Sequence, residues 1–388
     1  MKNKPLNVLM LPKWYPNYMD TAEGNYVYRH IRSVSKLCNV TVLYVHSQKI
    51  KNGYEILEEK DDNINVIRVY FNRSTAGIIW FDKLINLFRF IRAQSKGYRI
   101  FKKKHQKPDL LHVHSLTRTC GLAFLINLRK KIPFIISEHW SGFLNERNLK
   151  IPLIKHWFIL KLSKRASAIT CVSRKLKEGI TASGIKAQVH IIPNVFDNRV
   201  FYPGNKPTIN RNKNFIHISR LDNHTKNFGG IIRSFSVALK RDTDLMLHVF
   251  GDGIEKEKQV KYADQLGINS NIIFYGYQSQ EKIAEQLRIS AALIVFSNYE
   301  SQSCAIIESF ACGIPVIATM TGGIPEIVNN ERGILIEKNN ENELTDAILR
   351  ISQSDKIYDN QRISEFAGEK FSMEIIGKSF ENLYRDFI

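Results

Sequence analysis

The sequence predicts an α/β protein built as two Rossmann-like domains facing each other across a cleft. Three observations carry this. The chain has 388 residues, enough for two domains of ordinary size. Short apolar strands alternate with helical patterns along most of it. Strands apolar on both faces belong to parallel sheets covered by helices. This rhythm pauses at Pro193 and the polar stretch from Pro203 to Asn214, then restarts.

In the first half, Asn7–Leu11, Val40–Val45, Val66–Phe71, Leu110–Val113, Phe134–Ser137 and Ala168–Val172 read as strands. Val27–Leu37 and Gly121–Leu128 are amphipathic segments between them. In the second half the strands are Phe215–Ser219, Met246–Phe250, Ile272–Tyr275, Leu293–Phe296, Pro315–Ala318 and Gly333–Ile336. The domains are therefore expected at 1–193 and 194–370. Phe371–Ile388 has the length and apolar spacing of a final helix. Ligands of open α/β sheets bind beyond the carboxyl ends of the strands, so two such edges would enclose a site.

Composition bounds the function. The net charge is +19, which favours an acidic partner such as an anionic membrane, a nucleic acid or a phosphorylated substrate. No nucleic-acid-binding module is recognisable, so no nucleic acid is expected as partner. The five cysteines form no Cys-x-x-Cys pair and are odd in number, which reads as a reduced, cytoplasmic chain. The N-terminal stretch is too polar for a signal peptide, and no apolar run reaches the roughly 20 residues of a membrane span. The segment from Lys83 to Lys107 has no acidic residue, and Phe81, Leu84, Ile85, Phe88 and Ile91 recur at helical spacing beside its cations. Such a segment suits either a core helix with a solvated face or peripheral contact with an anionic membrane.

The most informative residues are Glu300 and Glu308. Glu300 follows the strand Ala292–Phe296, and Glu308 lies in an apolar helix that stops at Gly313. A strand, a carboxylate-bearing loop and a helix N-terminus together suit a polar, anionic ligand. The helix offers free N–H groups to phosphate, and carboxylates accept hydrogen bonds from sugar hydroxyls. Ala311-Cys312-Gly313, a Pro315-led strand and Gly322-Gly323-Ile324-Pro325-Glu326 follow in order. This succession resembles the signature of family 4 glycosyltransferases, the retaining, nucleotide-sugar-dependent enzymes of the GT-B fold.

The resemblance implies a role for each matching residue. Glu308 would bind the ribose of the donor, and Glu300 the hydroxyls of the transferred sugar. The amides around Gln302, Ser303 and Cys304 would lie close by. Arg220 and Lys226, in the loop Ser219 to Asn227, look like the diphosphate clamp, although the usual spacing is one residue shorter and often begins with Gly. Two fixed cations can stabilise a departing diphosphate. Gly24 would pack against the diphosphate or the acceptor, Gly251 would form the turn near the nucleotide, and Tyr277 the loop that meets the base. His139 would stand near the anomeric centre, with Glu138 as a weaker contact for the acceptor. Serines at 301 and 303 replace the usual glycines, which leaves the donor sugar open.

No metal or other cofactor is expected. His112 and His114 are expected on opposite sides of their strand, and no second ligand cluster lies nearby in the sequence to make a zinc site. The absence of Gly-x-Gly-x-x-Gly argues against a nicotinamide enzyme. The resemblance implies a UDP-sugar donor, with GDP next, and a glycan or lipid-linked acceptor in surface polysaccharide assembly. A front-face mechanism is implied as well. The alternatives are a basic anion- or nucleic-acid-binding protein and a catalytically silent scaffold of the same fold.

Overall fold

The computed structural model describes residues 4–51, 53–75, 77–144, 152–204, 213–353 and 358–388. Part of the polar stretch after Pro203, residues 205–212, lies outside the described residues.

The first domain runs β1 (Asn7–Pro12), α1 (Asn25–Ser35), β2 (Asn39–Ser47), β3 (Tyr54–Asp61), β4 (Ile64–Phe71), α2 (Ile79–Lys104), β5 (Leu110–His114), α3 (Cys120–Lys130), β6 (Phe134–Glu138), α4 (Leu153–Ser163), β7 (Ala168–Cys171), α5 (Arg174–Ala182) and β8 (Val189–Ile191). Its eight strands are ordered β3-β4-β2-β1-β5-β6-β7-β8. Along β1, Leu9 and Leu11 enter one buried cluster and Val8 and Met10 the other, so both faces of the sheet are covered. This is what a strand apolar at every position requires.

Two strands were not expected from the sequence, and one of them departs from the parallel pattern. β3 pairs antiparallel with β4 across a two-residue turn at Asp62 and Asn63. Its glutamates, Glu55, Glu58 and Glu59, hide it from a search for apolar runs, and they suit an exposed sheet edge. β8, at the other edge, has only three residues.

The second domain runs β9 (Asn214–Ile218), α6 (Asn223–Lys226), α7 (Phe228–Leu239), β10 (Met246–Phe250), α8 (Lys256–Gln265), β11 (Ile272–Gly276), α9 (Gln280–Arg288), β12 (Ala292–Val295), α10 (Cys304–Ala311), β13 (Val316–Thr319), β14 (Gly333–Ile336), α11 (Glu341–Ser352) and α12 (Asn360–Phe371). Its six parallel strands are ordered β11-β10-β9-β12-β13-β14. Each sheet reverses its strand order once beside its first strand, between β1 and β5 and between β9 and β12. Such reversals open a crevice at the carboxyl ends of the strands.

The chain closes on itself. α12 packs in the second domain through Ile363, Ala367 and Phe371. α13 (Met373–Arg385) then returns to the first, burying Met373, Ile376, Phe380 and Tyr384 against Val27, Ile31 and Val34 of α1. The Tyr384 hydroxyl lies 2.7 Å from Nδ1 of the buried His112. Phe380→Ala is expected to destabilise the protein by about 3 to 5 kcal/mol, the usual cost of an emptied aromatic site. Urea unfolding checks this. A change no larger than that of a surface substitution would mean that α13 is not part of the first domain's core.

Candidate active site

Two loops of the second domain form one wall of the cleft. After β9, the chain turns through Ser219 to Asp222. The Asp222 side chain accepts a hydrogen bond from the His224 N–H and so caps the short α6. This fold-back carries exposed Arg220 and, at the end of α6, half-buried Lys226. The turn at Gly251 braces it from below. Gly251 has φ 124°, and a Cβ there would stand 1.8 Å from the Ser219 carbonyl oxygen, so no other residue fits without displacing the loop. Asn298 donates its N–H to the Thr225 carbonyl, 2.8 Å away. The cationic loop is thereby joined to the loop that carries Glu300.

Lys226 and Glu300 are ion-paired, with Nζ 2.5 Å from Oε2. Ser301 Oγ, next in the chain, donates to the His139 carbonyl at 3.2 Å across the cleft. The Gln302 side chain is committed elsewhere: its Oε1 accepts the Asn194 N–H at 2.6 Å, and its carbonyl accepts Asn194 Nδ2–H at 3.0 Å. Gln302 therefore ties the site to the inter-domain connection through its side-chain and backbone carbonyls. Ser303 opens α10, and no side chain caps that end. Cys304 follows as the first helical residue, its thiol pushed up to about 12 by burial, so it remains protonated.

The facing wall belongs to the first domain. Gly24 precedes α1 with φ 68°, and a Cβ there would meet the Trp14 carbonyl carbon at 2.4 Å. Beside it, three imidazoles converge. His30 comes from α1, His114 from the end of β5 and His139 from just past β6, and ligand nitrogens of the three lie within 4.8 Å of one another. His30 Nε2 lies 2.9 Å from the Pro193 carbonyl, so it carries the proton and Nδ1 keeps a lone pair. Both nitrogens of His114 and of His139 lack protein partners. Burial holds all three well below the ordinary histidine value, His30 down to about 4. They are neutral near pH 7. Neutral imidazoles in this arrangement suit sugar hydroxyls, and among the described residues they are the set whose donors could hold a cation.

The structure corrects the expectation for the strand histidines. His112 and His114 share one side, their rings stacked 4.2 Å apart, because strand side chains repeat every two residues. Glu138 is also reassigned. Its carboxylate is buried and accepts three backbone N–H groups, from Leu116, His139 and Trp140, at 2.8 to 2.9 Å. It shapes the turn that presents His139, and it is not free to meet an acceptor.

Glu308 is buried and paired with Arg29 of α1, Nη1 to Oε1 2.5 Å. Burial works against the Arg29 charge, and the neighbouring acidic groups, Glu308 foremost, more than restore it. One carboxylate oxygen is thus engaged across the domain boundary. A second bridge was not foreseen. Glu326, in the Gly322-Gly323 turn, accepts the N–H groups of Arg174 and Lys175 at 2.8 and 2.9 Å. It thereby caps the start of α5 with a carboxylate from the other domain, where the helix dipole favours an anion. Farther out, Tyr277 stands largely exposed just past β11.

Sequence profiles match both halves of the chain: Glycosyltransferase Family 4 over residues 24–199 and Glycosyl transferases group 1 over residues 204–368. The N-acetyl-alpha-D-glucosaminyl L-malate synthase of Bacillus anthracis is 25% identical over 298 residues, 74% of this chain and 76% of that protein. A capsular polysaccharide biosynthesis glycosyltransferase of Staphylococcus aureus is 23% identical over 87% of this chain and 94% of its own. The sucrose-phosphate synthase structure from Thermosynechococcus elongatus superposes with a TM-score of 0.75 at 17% identity, covering 99% of both chains. An Anabaena protein solved with UDP and glucose superposes with a TM-score of 0.69 at 15% identity, covering 98% of this chain and all of that one.

Two outcomes follow from this geometry. Arg29→Met should destabilise the protein by roughly 3 to 5 kcal/mol, because Glu308 is left buried without its counter-charge. The double variant Arg29→Met/Glu308→Leu should recover much of the loss. A double variant as unstable as the single would show that the charges themselves are not the cause. The second outcome concerns pH. His30, His112, His114 and His139 are held neutral in the fold, below the unfolded value of 6.5. Their contribution is fully present above pH 6.5 and is lost as pH falls toward about 4, where His30 titrates. Each buried histidine adds up to about 1.4 kcal/mol per pH unit to that slope. Urea unfolding at steps between pH 7 and 5 should show stability falling, and less steeply in His30→Gln.

Proposed function

The chain belongs to glycosyltransferase family 4, and from that membership we propose that it moves a sugar from a nucleotide-diphosphate donor to a hydroxyl with retention of anomeric configuration. UDP is the preferred nucleotide and GDP the next. The observation that carries the reading is the Lys226–Glu300 pair at the cleft edge of the second sheet, with Ser301 beside it bonded to the His139 backbone.

Donor binding exchanges partners within this pair. Lys226 turns to the diphosphate beside Arg220, and Glu300 accepts hydrogen bonds from sugar hydroxyls. The backbone N–H groups from Gln302 to Cys304, at the uncapped start of α10, serve the same negative charge. The Glu308 oxygen not held by Arg29 receives the ribose, and Tyr277 lies beside the base. Gly24 and Gly251 allow the backbone to approach the donor closely.

In the reaction, the bond between the anomeric carbon and the phosphate oxygen breaks as the acceptor oxygen bonds to the same carbon from the same face. The acceptor proton passes to the departing phosphate oxygen. Arg220 and Lys226 stabilise the charge that develops on the diphosphate, so the proposal places no metal there. His139, neutral and presented by the Glu138 turn, orients the sugar.

The acceptor is proposed to be a glycan or lipid-linked hydroxyl of a surface polysaccharide. Curated relatives carry capsular and teichuronic acid biosynthesis in their names. Peripheral attachment to the cytoplasmic side of a membrane accompanies a lipid-linked acceptor.

A thermal-shift panel of UDP, GDP and ADP with their sugar conjugates tests the donor. One nucleotide should raise Tm with or without EDTA, and the rise should vanish in Glu308→Ala. With the matching sugar conjugate, Lys226→Ala should lower kcat on the order of 100- to 1,000-fold. Proton NMR of the fresh product should show the donor's anomeric configuration. If no nucleotide shifts the protein, the reading gives way to a silent scaffold or an anion-binding role.

A further inference from the structure

α2, α3 and α4 pack side by side on one face of the first sheet, their inner residues Phe90, Ala93, Ala123, Ile126 and Ile159 joined in one core cluster. Their outer residues do not follow the usual polar pattern. On α2, Ile79, Trp80 and Leu84 are 75%, 70% and 60% exposed, and on α4, Leu153, Ile154 and Trp157 are 88%, 76% and 54% exposed. Exposed Leu125 and Leu128 of α3 lie between these two groups. Isolated exposed hydrophobics are ordinary, but a group of this size across one layer of helices marks an interaction surface.

The charge on this face selects the partner. Lys83, Arg92, Lys155 and Lys161 stand exposed among the apolar side chains. Lys161 lies over the Trp157 ring at 4.7 Å, and Arg92 over Phe88 at 5.6 Å. Asp82 is the only acidic residue in the three helices, and it is turned inward to Ser74 and the Gly77 N–H. Tryptophans and aliphatics beside snorkelling cations suit the boundary of a negatively charged bilayer. No described helix is long and apolar enough to cross a membrane, so the contact is with its surface.

Position adds a second argument. α2 begins soon after the carboxyl end of β4, and α4 follows the carboxyl end of β6, where His139 stands. Helices of a parallel sheet run back against their strands. The exposed apolar residues therefore cluster at the helix ends nearest the cleft.

We propose that the cleft-side ends of α2 and α4 form one docking surface for anionic lipid, seating the cleft against the bilayer so that a lipid-linked acceptor reaches it from the membrane. The proposal rests on the glycosyltransferase reading for the acceptor, and on exposure and charge for the lipid.

Sedimentation of the untagged full chain with phosphatidylcholine vesicles, with and without phosphatidylglycerol, tests it. Binding should require phosphatidylglycerol and weaken with salt. Trp80→Ser/Trp157→Ser and Lys83→Glu/Lys155→Glu should each reduce it on the order of tenfold or more. Both pairs are exposed, and an unchanged Tm confirms folding. No binding to phosphatidylglycerol vesicles, or binding equal in wild type and both variants, overturns the proposal. Dimerisation that is lost in the tryptophan variant would give the face to a second copy instead. The nucleotide thermal shift on the same samples separates the two readings, because it reports the donor site whether or not lipid binds.

Discussion

The buried pair between Arg29 and Glu308 is the constraint on which the rest of the structure depends. It joins α1 to α10, two helices from different domains, and neither charge has water to fall back on. A buried ion pair adds little net stability, but half of one is costly. The domains therefore keep these helices in register. Around the pair, Asn194 bonds Gln302, Ser301 bonds the His139 carbonyl, and Glu326 caps α5. Each of these contacts is made by a loop that also borders the cleft. The groups that align the domains are thus neighbours of the groups that would hold a donor.

The two walls divide the electrostatic work. The second domain supplies cations at the cleft, Arg220 exposed and Lys226 paired with Glu300. The first domain supplies imidazoles kept neutral by burial and a glycine turn that admits close backbone approach. Neutral imidazoles do not compete with a diphosphate for the cations. The same burial that keeps His139 neutral links the integrity of this wall to pH, since protonation of the cluster is more favourable once the chain has opened.

Two groups of cations stand apart among the described residues. One is Arg220 and Lys226 in the cleft, the proposed partners of a departing diphosphate. The other lies on the outer helices of the first domain, mixed with tryptophan and aliphatic side chains. Net charge alone does not distinguish these groups from a nucleic-acid groove. The apolar company of the outer cations is what the lipid proposal rests on, because a phosphate backbone has no use for an aliphatic surface.

What the sequence determined by itself was the set of positions whose chemistry is local. Apolar runs marked most strands of both sheets, because a strand covered on both faces tolerates little else. The Glu300 to Glu326 succession carried the family, and the resemblance singled out Gly24 and Gly251; that their turns admit no Cβ came from the structure. β3 escaped because an exposed edge strand is allowed its glutamates, and β8 because three residues leave no pattern. Only the tertiary structure decided the partners. Arg29 finds Glu308 across 279 positions, His30 joins His114 and His139 from three separate elements, and Glu326 reaches the start of a helix in the other domain. Sequence periodicity reports which face of an element is buried. Which charge or imidazole stands opposite is set by the packing of distant elements, and the physics of a buried group depends on that neighbour.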